Sequence, residues 1–383
     1  MTGITAHSFN PVPITAHSWN EKADMVALSH NNNEVKVSEE SQELGFMMRS
    51  WIWKHITVHS CMSVCLSPCL DCLYKKGVSG YSRVSTFSQH DLRITGIPGP
   101  PNHNAYVWSY EEDSGKWSYA PVFLRCNRAI TCIKWSPNEQ KIAAGSGARI
   151  DQDWWVAKHI KKPITSTVTC LDWHPNNVLV AVGSTDFKVR VFSAYVKDIE
   201  PKPSTTPWGS KMSLSTLMAE FSNSLNGGGW VHDVSFSADG NKLAWIGHDS
   251  SVSVADANKG LAIFKLKTPA LPLLSCIWIS ESSFVAAGHD CVPLLFTLEA
   301  GGQLEEDKKA ETNTVFSAKA LFKAKDRTGQ TEAAETILNT TPQNRYISCI
   351  RICRGDKSKC DVLSTSAGDG KLVLWDIEAC KKL

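Results

Sequence analysis

The chain has 383 residues, 42 % of them hydrophobic and 20 % charged, the balance of a globular protein with a sizeable core. Its 40 Lys and Arg against 38 Asp and Glu leave a net charge of +2, which argues against charge-driven binding to nucleic acid or anionic membrane as its main task. No apolar run reaches the ~18 residues of a membrane span; the start, Met1-Thr2-Gly3-Ile4-Thr5-Ala6-His7, lacks a secretory pattern, so the 13 Cys are expected as reduced cytosolic thiols.

Six short β-rich runs recur along the chain. They are Ile14-Thr15-Ala16-His17-Ser18-Trp19, Ile130-Thr131-Cys132-Ile133-Lys134-Trp135 and Val168-Thr169-Cys170-Leu171-Asp172-Trp173, then Val231-His232-Asp233-Val234-Ser235-Phe236, Leu274-Ser275-Cys276-Ile277-Trp278 and Ile347-Ser348-Cys349-Ile350-Arg351-Ile352. Thr/Ser-Cys-Ile/Leu recurs at 131–133, 169–171, 275–277 and 348–350. A Cys returning at one strand position reads as a small buried hydrophobe.

Turns such as Ser136-Pro137-Asn138-Glu139 and Ser237-Ala238-Asp239-Gly240 lead into second apolar runs at 141–146, 178–184, 242–247, 283–288 and 362–366. Four tight turns then hold Asp186, Asp249, Asp290 and Asp369. Third runs follow, among them Lys188-Val189-Arg190-Val191-Phe192 and Lys371-Leu372-Val373-Leu374-Trp375-Asp376. Short strands with a turn every ten or so residues mean an all-β architecture.

The spacing supports blades. Trp135 to Trp173 is 38 residues and Phe236 to Trp278 is 42, near the 40–45-residue period of four-stranded propeller repeats. Longer connections are expected around 193–226 and 298–343. The Asp turns and the terminal Leu374-Trp375-Asp376 resemble the WD-repeat family. The Gly-His dipeptide that usually precedes the first strand is missing, since Gly247-His248 and Gly288-His289 fall elsewhere in the repeat.

Other segments are more specific. Asp153-Trp154-Trp155-Val156-Ala157-Lys158-His159-Ile160-Lys161-Lys162-Pro163 leads into Ser166-Thr167-Val168, then Asp172-Trp173-His174-Pro175-Asn176-Asn177-Val178-Leu179. Asp186-Phe187-Lys188-Val189-Arg190-Val191-Phe192-Ser193-Ala194-Tyr195 follows, then Thr206-Pro207-Trp208-Gly209-Ser210-Lys211-Met212, Gly229-Trp230-Val231-His232 and Ala287-Gly288-His289-Asp290-Cys291. In this order they closely resemble subunit 1 of the actin-related protein 2/3 complex, of the animal type. The likeness covers most of 4–38, nearly all of 102–300 and, weaker, 310–378.

The resemblance implies a seven-bladed WD-repeat β-propeller over 1–383, closed by the N-terminal stretch as the last strand of the final blade. It implies no enzyme and no cofactor. The expected role is a scaffold subunit of the complex that nucleates actin branches. Its partners would be the other subunits and, through the complex, actin filaments and nucleation-promoting factors. The expected location is cytoplasmic, on the actin cytoskeleton. A generic WD-repeat adaptor is the alternative, because propellers host many functions.

Three departures from the family mark blades 1–3 as imperfect. Residues 41–88 do not resemble it. Gln89-His90-Asp91-Leu92-Arg93-Ile94-Thr95-Gly96-Ile97 reads as a first strand and Asn104-Ala105-Tyr106-Val107-Trp108 as a third, with only 98–103 between them. Gly147-Ala148-Arg149-Ile150 runs into Asp151-Gln152-Asp153-Trp154 with no room for the third strand of the next blade.

Candidate sites are few. Cys61, Cys65, Cys69 and Cys72, with His55 and His59, invite a zinc reading, but only Cys69-x2-Cys72 has the usual pair spacing. Free thiols are the simpler reading, and no metal is expected. Lys158, Lys161 and Lys162 form a basic knot around His159 that could steer an acidic partner. The 300–343 insertion, between blades 6 and 7, carries a segment of high helix propensity. Val315, Ala318 and Phe322 lie on one stripe of it, and Val315 and Phe322 are candidate partner contacts. No nucleophile motif or phosphate loop occurs.

Overall fold

Alternating β-branched and aromatic residues, cut by Asp, Gly and Ser turns, fold here into 26 strands and almost no helix among the described residues. The computed structural model describes residues 4–9, 13–19, 23, 25–30, 35–41, 45–47, 69–75, 105–111, 116–122, 130–138, 141–146, 155–160, 163–223, 228–298, 304–306 and 342–381.

The chain opens with β1 (Ile4–Ser8) and then builds a sheet from β2 (Ile14–Trp19), β3 (Met25–His30), β4 (Val35–Ser41) and β5 (Gly45–Met47). Next come β6 (Cys69–Lys75), a hairpin of β7 (Ala105–Glu111) and β8 (Lys116–Val122), then β9 (Ile130–Trp135), β10 (Lys141–Ser146) and β11 (Trp155–Ile160). Two regular blades follow. They are β12 (Val168–Trp173), β13 (Leu179–Ser184), β14 (Lys188–Ser193) and β15 (Leu217–Ser222), then β16 (Val231–Phe236), β17 (Lys242–Gly247), β18 (Ser251–Asp256) and β19 (Ala262–Lys267). A further blade holds β20 (Leu273–Trp278), β21 (Ser283–Gly288), β22 (Leu294–Leu298) and β23 (Leu304–Glu306). The chain ends with β24 (Ile347–Gly355), β25 (Cys360–Ala367), β26 (Lys371–Asp376) and a short helix, α1 (Ile377–Lys381).

β1 pairs antiparallel with β26, Ile4 opposite Trp375 and Ser8 opposite Lys371. The N-terminal strand therefore completes the last blade, as the resemblance implied. Such closure covers a strand edge that would otherwise invite pairing with another chain.

The expectation of seven blades is corrected. Five regular four-stranded blades are present among the described residues: β2–β5, β12–β15, β16–β19, β20–β23, and β24–β26 with β1. A sixth four-stranded sheet is composite, ordered β9-β10-β6-β11, and the hairpin β7–β8 stands as a two-stranded sheet. The reason is the missing chain length noted above. Only eight residues separate β10 from β11, short of what a strand with a turn on either side requires. Cys69–Lys75, from the atypical segment, occupies that slot, antiparallel to both neighbours, with Leu73 opposite Ile142 on one side and Ala157 on the other. The first strand read at 89–97 lies outside the described residues. So does the helix read around 315–326 in the 300–343 insertion.

The cores lie between sheets. Each buried cluster draws on two consecutive sheets, from the composite sheet through β12–β15, β16–β19 and β20–β23 to the closing blade and on to β2–β5. Between β12–β15 and β16–β19, Phe221 stacks on Trp245 at 5.3 Å and Trp208 meets Phe236 edge-on at 5.7 Å. Face-to-face burial of this kind supplies most of the stabilisation a sheet can gain.

Polar seams join the innermost strands. All six inner strands among the described residues carry a bulge at their second residue: Thr15, Thr131, Thr169, His232, Leu274 and Ser348. A bulge leaves one residue unpaired and re-aims its side chain. Thr131 and Thr169 use the freed hydroxyl to donate to the carbonyls of Val168 and Val231, each the first residue of the next inner strand. Ser348 does the same toward Ile14, at 2.8 Å. Tryptophans at the other strand end reach backwards: Trp173 Nε1 donates to Lys134 O at 3.0 Å and Trp278 Nε1 to Ser235 O at 2.9 Å.

The bulges also correct one detail of the repeat. Cys132, Cys170 and Cys349 share one structural position. In β20 the bulge falls on Leu274, so Ser275 takes that position and Cys276 lies one step further. Cys170, Cys276 and Cys349 are buried and Cys132 is half-buried, all as free thiols. Burial pushes the Cys276 thiol well up, with Asp233 adding to the effect, which suits an inert packing residue.

Thr169→Val keeps the shape but leaves the Gly183 and Val231 carbonyls without their shared hydroxyl donor. The expected loss is about 1–3 kcal/mol in urea unfolding, with an unchanged m-value.

Candidate functional site

The residues singled out for partner contact are placed unevenly. Lys158 lies in β11, paired in register with Cys72 of β6. Lys161, Lys162, Val315 and Phe322 lie outside the described residues. Of the cysteine cluster, Cys69 and Cys72 fall on β6, while Cys61, Cys65, His55 and His59 lie outside. Among the described residues, no three His, Cys, Asp or Glu side chains group as metal ligands.

Asp186, Asp249 and Asp369 bond the backbone of their own turns, while Asp290 and Asp369 bond the connection that leads into their blade. Asp186 accepts from Ser184 Oγ and Lys188 N and pairs with Arg190 at 2.7 Å. Asp249 takes Ser251 N at 3.3 Å, and Asp369 takes Asn344 N at 2.9 Å and Lys371 N at 3.1 Å. Asp290 takes Leu271 N at 2.7 Å. The bonds within the turns are the usual work of Asp there, and those to Leu271 and Asn344 pin the preceding connection to the blade.

The most connected charge is Asp172, on inner strand β12. It accepts from Lys134 Nζ of β9 at 3.2 Å, from Phe236 N of β16 at 2.8 Å and from Lys357 Nζ at 2.7 Å. Lys357 sits in the turn between β24 and β25. Two blades separate it from β12, so this contact crosses the interior of the ring. One carboxylate thus joins four sheets. Burial alone would raise its pKa; the charges of Lys134 and Lys357 and the bonds from Lys357 and Phe236 outweigh that and hold it at about 2.

Two further buried groups tie sheets together. Lys141, fully buried on β10, donates to Glu200 Oε1 at 2.7 Å and to Asn177 O at 2.6 Å, and its ammonium lies 5.0 Å from the Trp173 ring centroid. His17, fully buried on β2, is bonded through Nδ1 to Ser366 Oγ at 2.9 Å and through Nε2 to Ser364 Oγ at 2.7 Å. Burial, with Arg351 nearby, holds the His17 pKa well below 6.5. Burial likewise lowers His174 to about 4, despite hydrogen bonds and carboxylates that raise it.

One surface was missed at the level of sequence. Trp230 directly precedes β16. The strand begins at Val231, and Trp230 is 41 % exposed beside His248, ring centroids 5.7 Å apart. Leu271 and Tyr346 are comparably exposed just before β20 and β24, and His289 lies 5.9 Å from Tyr346. All occupy the end of the propeller where inner strands start. The available signal was an aromatic directly before β16 and β24, and Leu271 two residues before β20, in place of the Thr167 found before β12.

The lowered histidine pKa values set a pH window. Both imidazoles stay neutral in the native state, while the unfolded chain takes up protons below pH 6.5. Stability therefore falls as pH drops below 6.5, by up to about 1.4 kcal/mol per pH unit for each histidine. For His174 this continues to about pH 4. The contribution of Asp172 is present above pH 3.8 and is lost as pH falls toward 2. Urea midpoints at pH 7, 5.5 and 4.5 should decline in that order.

Comparison with known proteins agrees with this geometry. The family model for the WD domain, G-beta repeat matches residues 122–150 and 157–193, covering β9 to β14 apart from a short gap and β6 from elsewhere. A Xenopus laevis protein, actin-related protein 2/3 complex subunit 1A-B, is 43 % identical over 98 % of this chain and 97 % of its own length. The Schizosaccharomyces pombe actin-related protein 2/3 complex subunit 1 is 38 % identical over 80 % of this chain and 90 % of its own. An Arabidopsis thaliana subunit 1B is 30 % identical over 99 % and 97 %. The inner-strand propeller and near full-length identity to these proteins together establish that the chain belongs to the actin-related protein 2/3 complex subunit 1 family.

Proposed function

We propose that this chain is a non-catalytic scaffold subunit of the actin-related protein 2/3 complex, supporting actin filament nucleation and branching through protein–protein contacts. The observation that carries this reading is identity of 43 % over 98 % of the chain to a protein named as that subunit. The internal commitment of the turn aspartates is consistent with it. A propeller whose carboxylates hold turns and seams offers a rigid body for neighbours to grip.

On this reading the whole chain forms one propeller unit, with 41–88 as an atypical segment and 300–343 as an insertion. Its partners are the other subunits and, through the complex, actin filaments and nucleation-promoting factors. Its place is the cytoplasmic actin cytoskeleton. Lys158, Lys161 and Lys162 offer positive charge to an acidic neighbour, and Val315 and Phe322 offer apolar contact from the insertion. A generic adaptor role would rest on fold alone, and the identity extends well beyond what a shared fold requires.

Co-expression with the other subunits followed by size exclusion tests the proposal. Stoichiometric co-elution is the expected result. A soluble chain that elutes alone would contradict it.

A further inference from the structure

The residue that each inner-strand bulge leaves unpaired is a hydroxyl in four of the six described strands: Thr15, Thr131, Thr169 and Ser348. Thr131, Thr169 and Ser348 use it to bond the next inner strand. β20 has Leu274 at that place and β16 has His232. The His232 ring turns to its own blade instead. Its Nε2 lies 2.9 Å from Nδ1 of His248, in the turn between β17 and β18. A residue that departs from a repeated structural role, with no evident packing gain, marks a place to look for function.

The backbone fixes this spacing. Val231 pairs with Gly247 across β16 and β17, and His248 N donates to Trp230 O at 2.8 Å. Gly229 packs so closely against the turn that a Cβ on it would fall 2.6 Å from Asp249 N. The two imidazoles therefore leave a firm frame side by side, His248 exposed and His232 half-buried. Imidazole nitrogen is the donor that Cu2+, Ni2+ and Zn2+ favour, whereas Ca2+ and Mg2+ require oxygen. An ion about 2.05 Å from both nitrogens, at their separation of 2.9 Å, would see them at about 90°, the cis angle of a tetragonal site. The ring centroids stand 5.1 Å apart, so the rings point at one another. Each tilts to turn its lone pair onto the ion, and water fills the remaining positions. The hydrogen between the rings moves to the outer nitrogen of its own ring, which frees both inner lone pairs with no net change in protons. The nearest charges offset one another: the Asp249 carboxylate, bonded to Ser251 N, lies 3.8 Å from Lys265 Nζ. Ligand type, not net charge, sets the choice of ion.

We propose that His232 and His248 form a two-imidazole site for a divalent transition cation, with Cu2+ bound more tightly than Ni2+ or Zn2+. The bound ion clips the start of β16 to the turn that leads into β18. The site is independent of the assembly role proposed above, and its failure leaves that role untouched. Trp230 supplies a reporter. Its indole is exposed and its ring centroid lies 5.7 Å from that of His248, close enough for a bound Cu2+ to quench its fluorescence.

The test titrates Cu2+, Ni2+ and Mg2+ into the full-length chain with its accessible thiols alkylated. It compares wild type, His232→Ala, His248→Ala and Trp230→Phe. Wild type should bind one Cu2+ that quenches Trp230. Loss of even the outer partner of a ligating histidine weakens a metal site about 10–100-fold, so each histidine variant should bind at least about 10-fold more weakly. Trp230→Phe should keep the affinity and lose the quenching. Electron spin echo modulation of the wild-type Cu2+ complex should count two imidazoles, a readout that needs no variant to fold. Wild-type affinity in either histidine variant overturns the proposal. So does a count of one imidazole or none, undiminished quenching in Trp230→Phe, or Mg2+ binding as tight as that of Cu2+.

Discussion

A single four-stranded sheet has two apolar faces and cannot bury both by itself. Every blade here depends on its neighbours, and the inner strands are where that dependence is enforced. The bulge at the second residue frees a hydroxyl in β9, β12 and β24, and that hydroxyl bonds the start of the next inner strand. Asp172 adds a charge that four sheets share. The buried pair of Lys141 and Glu200 fastens the composite sheet to the blade that follows. Breaking a buried pair by removing one partner is far more damaging than never having had it, so these seams fix blade order more than they add net stability.

The composite sheet shows what this constraint tolerates. Eight residues between β10 and β11 are too few for a strand with a turn on either side, yet both strands present edges that need a partner. Cys69–Lys75 satisfies both edges at once through backbone hydrogen bonds, which make few demands on side-chain identity. A segment unlike the rest of the family can therefore fill a slot in a fold whose sheets are otherwise consecutive in sequence.

Much of this was legible in the residues. The recurring Trp, the Thr-Cys pairs and the turn aspartates pointed to blades because each serves a repeated local geometry. The closure by β1 was legible through the family resemblance. The number of blades was not, because the seven-blade expectation came from the family whereas the missing strands are peculiar to this chain. The role of β6 was hidden for a related reason: nothing in Cys69-Leu70-Asp71-Cys72-Leu73-Tyr74-Lys75 names a partner strand some seventy residues away. Cys276 was placed one step off because a bulge shifts register without changing composition. The candidate contacts Lys161, Lys162, Val315 and Phe322 fall outside the described residues, whereas the exposed aromatic end emerged only from burial.

The central claim is that seams between inner strands make the blades one cooperative unit. Native-state hydrogen exchange resolved by strand tests it most directly. The account predicts that amides of β12, β16, β20 and β24 share one opening free energy and respond together to added denaturant. Separate opening energies, with each blade exchanging independently of its neighbours, would contradict it.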